Sequence, residues 1–174
     1  GNTLTAPSDT DYSIVMGTGN TATNLKNSVA IGKENTMKSG QTNTYAIGDS
    51  NNLGSTGIYS YAFGYGNTME NTGLALGILN ELSGYAGLCI GYDTKAQGDY
   101  GTAIGNQAQA SGASSLAFGS GPQATATRAF ALQDANATAP DSISVGHHTH
   151  AVTSGAVAIG RSISTASNRH GAMA

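Results

Sequence analysis

The chain has 174 residues, a formal net charge of −3, 10 % charged residues and 25 glycines. Its seven Lys and Arg are scattered singly, which leaves no basic footprint for nucleic acid, and no run approaches the roughly 18 apolar residues of a spanning helix. Charge far below the usual quarter, and glycine about twice the average, set it apart from an ordinary globular domain. One cysteine, Cys89, excludes an intrachain disulfide and reads as a small buried hydrophobe.

Residues 1–12, with Pro7 and several Thr and Asp, read as a loose lead-in or a degenerate first coil. The polar start Gly1-Asn2-Thr3 is not that of a signal peptide. The chain is therefore expected to be a mature segment or a piece whose membrane anchor lies elsewhere.

From Ser13 one phrase repeats. It opens as Ser13-Ile14-Val15-Met16-Gly17 and is clearest as Asn27-Ser28-Val29-Ala30-Ile31-Gly32. Eleven copies close at positions 17, 32, 48, 64, 77, 91, 105, 119, 133, 146 and 160, at intervals of 13 to 16 residues. Gln133 stands where the other copies have glycine. A fixed period of this kind is the mark of a solenoid.

Each copy alternates bulky and small residues, as strand side chains that switch faces do. The bulky positions are expected to build the core: Val29, Ile31, Ile47, Phe63, Leu76, Ile90, Ile104, Phe118, Leu132, Val145 and Ile159, with Tyr45 and Tyr61 among their companions. Thr102 is the one weak member. The small positions are expected to meet a second copy of the chain, because uniform smallness lets another backbone approach. They are Ser28, Ala30, Ala46, Ala62, Ala75, Cys89, Ala103, Ala117, Ala131, Ser144 and Ala158.

A second signal falls five residues after each closing position: Ala22, Met37, Leu53, Met69, Leu82, Ala96, Ala110, Ala124, Thr138, Ala151 and Thr165. It predicts the inward residue of a second, shorter strand. Asn20, Asn35, Asn51, Asn67, Asn80 and Asn136, three residues after the closing positions, predict turns with left-handed backbone. About fourteen residues per rung is too short for the three faces of a hexapeptide β-helix, roughly eighteen residues, and predicts a flattened two-sided parallel roll. At about 4.8 Å per rung, eleven rungs give a rod on the order of 50 Å long. The longer early rungs predict bulged turns at 38–41 and 54–58. So thin a core predicts self-association, and its open end strands predict capping by sequence beyond residue 174.

The phrase Asn27-Ser28-Val29-Ala30-Ile31-Gly32, and the rung Ala103-Ile104-Gly105-Asn106-Gln107-Ala108-Gln109-Ala110-Ser111-Gly112, closely resemble the head repeats of YadA-like trimeric autotransporter adhesins. The resemblance runs from about Ser13 to Ser167. It implies an all-β fold, a left-handed parallel β-roll assembled as a homotrimer. It also implies a head over 13–167, and a C-terminal exit over 168–174 towards a neck and stalk. By the same resemblance the head sits on a bacterial cell surface, as the extracellular passenger of an outer-membrane anchor, in adhesins that serve virulence. Its expected partners are a collagen-like or fibronectin-like matrix protein, a glycan or another bacterium's surface, and Val29, Ile31, Ile47 and Ile104 would support a collagen-binding face.

No catalytic constellation stands out, so no enzyme activity, cofactor or metal is expected. His148 and His150 would share a strand face, as a pair of metal ligands could, but they and His147 fall in a variable turn, which favours a structural or incidental role, and His170 lies near the C-terminus. The residue after each closing position varies freely, which predicts exposure. Tyr65 and Tyr92 occupy that position, and Tyr59, Tyr85 and Tyr100 sit at the opposite turn. Exposed tyrosines offer large contact area at low entropic cost, so these five are the candidate ligand-binding residues. Two functions remain open: an adhesin head, or a structural spacer or fibre segment without its own ligand.

Overall fold

The computed structural model describes residues 1–5, 12–23, 26–38, 40, 42–54 and 58–165. Most of the lead-in, parts of the two turns expected to bulge (Ser39, Gln41, Ser55, Thr56 and Gly57) and the C-terminal exit lie outside the described residues.

Each repeated phrase is a long strand: Ile14–Thr18, Val29–Lys33, Tyr45–Asp49, Ser60–Tyr65, Gly73–Ile78, Gly87–Tyr92, Thr102–Asn106, Leu116–Ser120, Phe130–Leu132, Ile143–His147 and Val157–Arg161. They form one eleven-stranded parallel sheet. Short strands, from Thr3–Thr5 and Thr21–Thr23 to Ala135–Ala137 and Thr149–Ala151, form a second eleven-stranded sheet. Each sheet is parallel and in register from rung to rung, as in Val29↔Tyr45 and Ile31↔Ile47. The architecture is an all-β parallel solenoid, and no helix occurs among the described residues. Thr3–Thr5 pairs with Thr21–Thr23, so the segment ahead of the first phrase supplies an edge strand.

The two faces of the long strands are the reverse of the expectation. Ala30, Ala46, Ala62, Ala75, Cys89, Ala103, Ala117, Ala131, Ser144 and Ala158 are fully buried within a single chain, and Ser28 is 1 % exposed. They line the lumen of the roll and cannot be the surface that meets a second copy. Val29, Ile31, Ile47, Phe63, Ile90, Ile104, Leu132 and Val145 point outward and are half-buried. Leu76, Phe118 and Ile159, also expected as core, are 44 %, 43 % and 57 % exposed. Tyr45 and Tyr61 stack on this outer face with ring centroids 5.2 Å apart.

The reason is space. The interior receives side chains from both sheets, and the short strands already contribute Met37, Leu53, Met69 and Leu82, all buried. Opposite them the long strands can offer little more than a methyl, a thiol or a hydroxyl. At Gly73 even that is too much, because a Cβ there would collide with the Gly87 carbonyl oxygen of the next rung and stand 2.7 Å from the Leu82 Cδ1. The closing glycines answer to a second constraint. Gly32 has φ +122°, and a Cβ on it would collide with the Gly48 carbonyl of the next rung.

Ten of the eleven inward residues expected on the short strands are buried. The exception is Thr138, which is exposed while Ala137 takes its place. After Gln133 the turn to the buried slot takes two residues, reaching Ala135, whereas after Gly146 it takes three, reaching the in-register Thr149. That shift also moves Asn136 outward, beside His150.

Asn20, Asn35, Asn51, Asn67 and Asn80 do not take left-handed backbone. That conformation falls one residue earlier, at Glu34, Ser50, Leu79, Asp93, Gln107 and His148. Asn20, Asn35, Asn51, Asn67 and Asn80 instead point inward and are at most 1 % exposed. The Asn51 Oδ1 accepts from the Asn67 backbone N–H at 3.2 Å and from its Nδ2 at 2.9 Å. The Asn51 Nδ2 donates in turn to the Asn35 Oδ1 at 2.9 Å and to the Gly64 carbonyl at 3.0 Å. The ladder starts at Asn2 and ends at Thr94, whose N–H and hydroxyl both donate to the Asn80 Oδ1. Each side chain thereby pairs backbone groups that the turn leaves open in a dry interior.

Removing one member should be costly. Asn51→Ala leaves several buried polar groups unpaired, at about 1–3 kcal/mol each, and should lower stability by at least ~2 kcal/mol. Gln109→Ala, on the outer face of a short strand, should cost no more than about 0.5 kcal/mol. Chemical denaturation of the two variants checks this, and equal losses would mean that the ladder adds nothing.

Candidate binding surfaces

Four surfaces follow from this geometry: an apolar sheet face, a polar sheet face and two turn edges. The apolar face consists of two in-register rows running the length of the long-strand sheet. One row runs from Ile14 to Val157 and the other from Met16 to Ile159, and every member but Thr102 is apolar. At about 4.8 Å per rung it extends roughly 50 Å. An exposed patch this long and continuous marks an interaction surface.

The short-strand face is polar: Thr36, Asn52, Thr68, Glu81, Lys95, Gln109 and Gln123 succeed one another in register. Lys95 Nζ lies 3.2 Å from the Glu81 Oε2, and Gln97 donates to the Glu81 Oε1 at 3.1 Å. The Gln97 hydrogen bond, helped by Lys95, holds the Glu81 carboxyl below its ordinary range. Arg128 and Asp141 pair across neighbouring rungs at one edge, and that contact lowers the Asp141 carboxyl likewise.

All five candidate tyrosines are exposed, but on two different edges. The closing glycine turns the chain outward, so the next residue projects from the C-terminal ends of the long strands. Tyr65, Ile78 and Tyr92 stand there in register on three successive rungs, at 50 %, 44 % and 46 % exposure. Leu79, also 44 % exposed, widens the same stripe. Ile78 follows directly on Gly77, as Tyr65 follows Gly64 and Tyr92 follows Gly91, so the repeat itself places it in this stripe, with Leu79 one residue further on. Tyr59, Tyr85 and Tyr100 lie at the other edge. Tyr85 and Tyr100 meet edge to face with centroids 6.0 Å apart, and Tyr59 and Tyr100 have left-handed φ of 62° and 59°.

The histidines group differently from the expectation. His147 and His148 converge on Asp134, at 3.6 Å and 3.1 Å from its Oδ2. His150 lies on the short strand Thr149–Ala151 with its Nδ1 3.3 Å from the Asn136 Nδ2. His170 lies outside the described residues. Cys89 is buried, its Sγ donates to the Glu81 carbonyl at 3.4 Å, and burial pushes its thiol up to about 11.

The fold defines a class: a two-sheet parallel β-solenoid of stacked rungs of about fourteen residues, with buried asparagines lining the first half of its interior. Four stretches match the family described as the YadA head domain repeat, at residues 11–35, 90–108, 96–121 and 135–162. The chain is a YadA-like head domain, of the kind carried by trimeric autotransporter adhesins. That family is structural and adhesive rather than enzymatic. No curated protein matches the chain.

The buried thiol gives a direct check on the inverted faces. Cys89 should resist an aromatic disulfide reagent in the native protein at pH 8, since the thiolate is the reactive form, and should react fully on unfolding. Rapid labelling of the native protein would place it on the outside.

Proposed function

We propose that this chain is the head of a bacterial surface adhesin that winds left-handed, as its family does, and assembles as a homotrimer through the apolar face of its long strands. The observation that carries the assembly is the double row from Ile14 and Met16 to Val157 and Ile159. Leaving it in water costs about 25 cal/mol per Å² of apolar surface, and a repetitive partner surface removes that cost. A second and third copy supply such a surface in register.

On this reading Val29, Ile31, Ile47 and Ile104 serve assembly rather than ligand contact. Ligands meet what the trimer leaves outside: the polar short-strand face and the turn edges, with Tyr65, Ile78, Leu79 and Tyr92 as the principal apolar stripe. The ligand classes proposed are matrix proteins of the collagen or fibronectin kind, glycans, or the surfaces of other bacteria. The domain acts on the cell surface, as an extracellular passenger.

Sedimentation velocity tests the assembly. The wild-type chain should run as a trimer. Ile104→Asp, on the outer face, should dissociate it. Ala103→Phe, one residue away, should instead lower the melting temperature by overpacking the lumen, at about 1–3 kcal/mol or more. A stable, folded wild-type monomer would overturn the proposal.

Attachment is tested by screening the protein against collagen, fibronectin, arrayed glycans and whole bacterial cells. Tyr65→Ala with Tyr92→Ala should weaken the observed binding about tenfold, or ~1.4 kcal/mol. It should leave folding stability within about 0.5 kcal/mol. Absence of any binding across the panel would instead support a spacer role.

A further inference from the structure

We propose that Asp134, His147 and His148 form a binding site for a divalent transition-metal ion, with zinc as the best fit. Their candidate ligand atoms all lie within 4.8 Å of one another. The His147 Nε2 and His148 Nδ1 stand 3.6 Å and 3.1 Å from the Asp134 Oδ2. Donors of a tetrahedral zinc, bound at about 2.0–2.1 Å, are separated by roughly 3.3 Å, so only small side-chain adjustments are required. Two imidazoles and one carboxylate suit zinc, nickel and copper rather than calcium or magnesium.

Backbone stacking brings these three residues to one edge of neighbouring rungs. His147 ends the strand Ile143–His147, and His148 follows it in left-handed backbone with φ 55°. The His148 N–H donates to the Asp134 carbonyl on the preceding rung at 2.9 Å. Asp134 and His147 also line an open groove with Gln107, Ser120, Gly121 and Gln133, which leaves room for a water or external ligand at a fourth position. Arg161 is in register with His147 on the following rung, a nearby cation that the Asp134 carboxylate offsets.

The site falls on the most irregular rung. Gln133 replaces the closing glycine there, the turn is one residue short, and the long strand shrinks to Phe130–Leu132. A metal held by Asp134 from this rung and by two histidines from the next would staple the ladder where its backbone pairing is weakest.

Titration of the full chain with zinc chloride at neutral pH, followed by calorimetry, tests the site. One ion per chain should bind, and His147→Ala, His148→Ala and Asp134→Asn should each weaken it at least tenfold. His150→Ala and His170→Ala should leave affinity unchanged. Zinc should also raise the melting temperature of the wild type but not of the His147→Ala/His148→Ala double variant, because an ion that binds only the folded state stabilises it. Circular dichroism of each variant without metal, and cobalt absorption as a second readout, separate lost ligands from lost fold. No saturable zinc binding by the wild type would overturn the proposal, as would binding that follows His150 or His170 instead.

Discussion

The lumen between the two sheets is too narrow for large side chains from both, and most of the structure follows from that constraint. A rung of about fourteen residues with two tight turns holds its sheets close together. The short strands place Met37, Leu53, Met69 and Leu82 inside, so the long strands must present Ala46, Ala62 or Cys89 to them. Strand alternation then forces the bulky neighbours Tyr45, Ile47, Tyr61 and Phe63 outward. The apolar outer face is thus a consequence of a small interior, and the interior alone is too thin to make a single roll strongly stable.

The same narrowness explains why the lumen is partly polar. Turns packed this tightly leave backbone groups pointing inward, where water cannot reach them. Asparagine carries a donor pair and an acceptor at a length that spans one rung, so Asn20 through Asn80 bond the chain to its neighbours along the axis. Beyond Thr94 the slot passes to Ala108 and Pro122. Proline has no N–H to satisfy, and the Ala108 carbonyl accepts from the Lys95 N–H on the preceding rung. The roll therefore has an amide-lined first half and a largely alanine-lined second half, stacked in one register.

Much of this was legible in the sequence. The period, the closing glycine, the two strands per rung and the parallel stacking can all be read from the eleven phrases. The facing of the strands is not legible from the default that bulky apolar residues lie inside. The sequence does hold a signal against that default. The outward slot accepts Thr102, Val29, Leu88, Tyr45 and Phe130, a range of volumes that no close-packed interior tolerates from rung to rung. The slot between the bulky pair stays at alanine, cysteine or serine in nearly every rung, and that uniformity is what a tight lumen imposes. The asparagines misled for a related reason, since a residue favoured in left-handed turns is also one of the few side chains able to bridge stacked backbones.

The Asp134–His147–His148 group shows where a strict repeat hides information. Aligning copies by their closing positions puts Asp134 level with His147, and it made Asn136 a turn residue and Thr138 an inward one. One missing residue after Gln133 moves both outward and lets Asn136 pair with His150. Interior slots and closing glycines are held by sterics at every rung, so they can carry little that is particular to this chain. Individuality is confined to the residues just past the closing position and to rungs where the count slips. Tyr65, Ile78 and Tyr92 exploit the first freedom. The histidine pair exploits both, because it sits in that variable position directly above the rung whose turn is short.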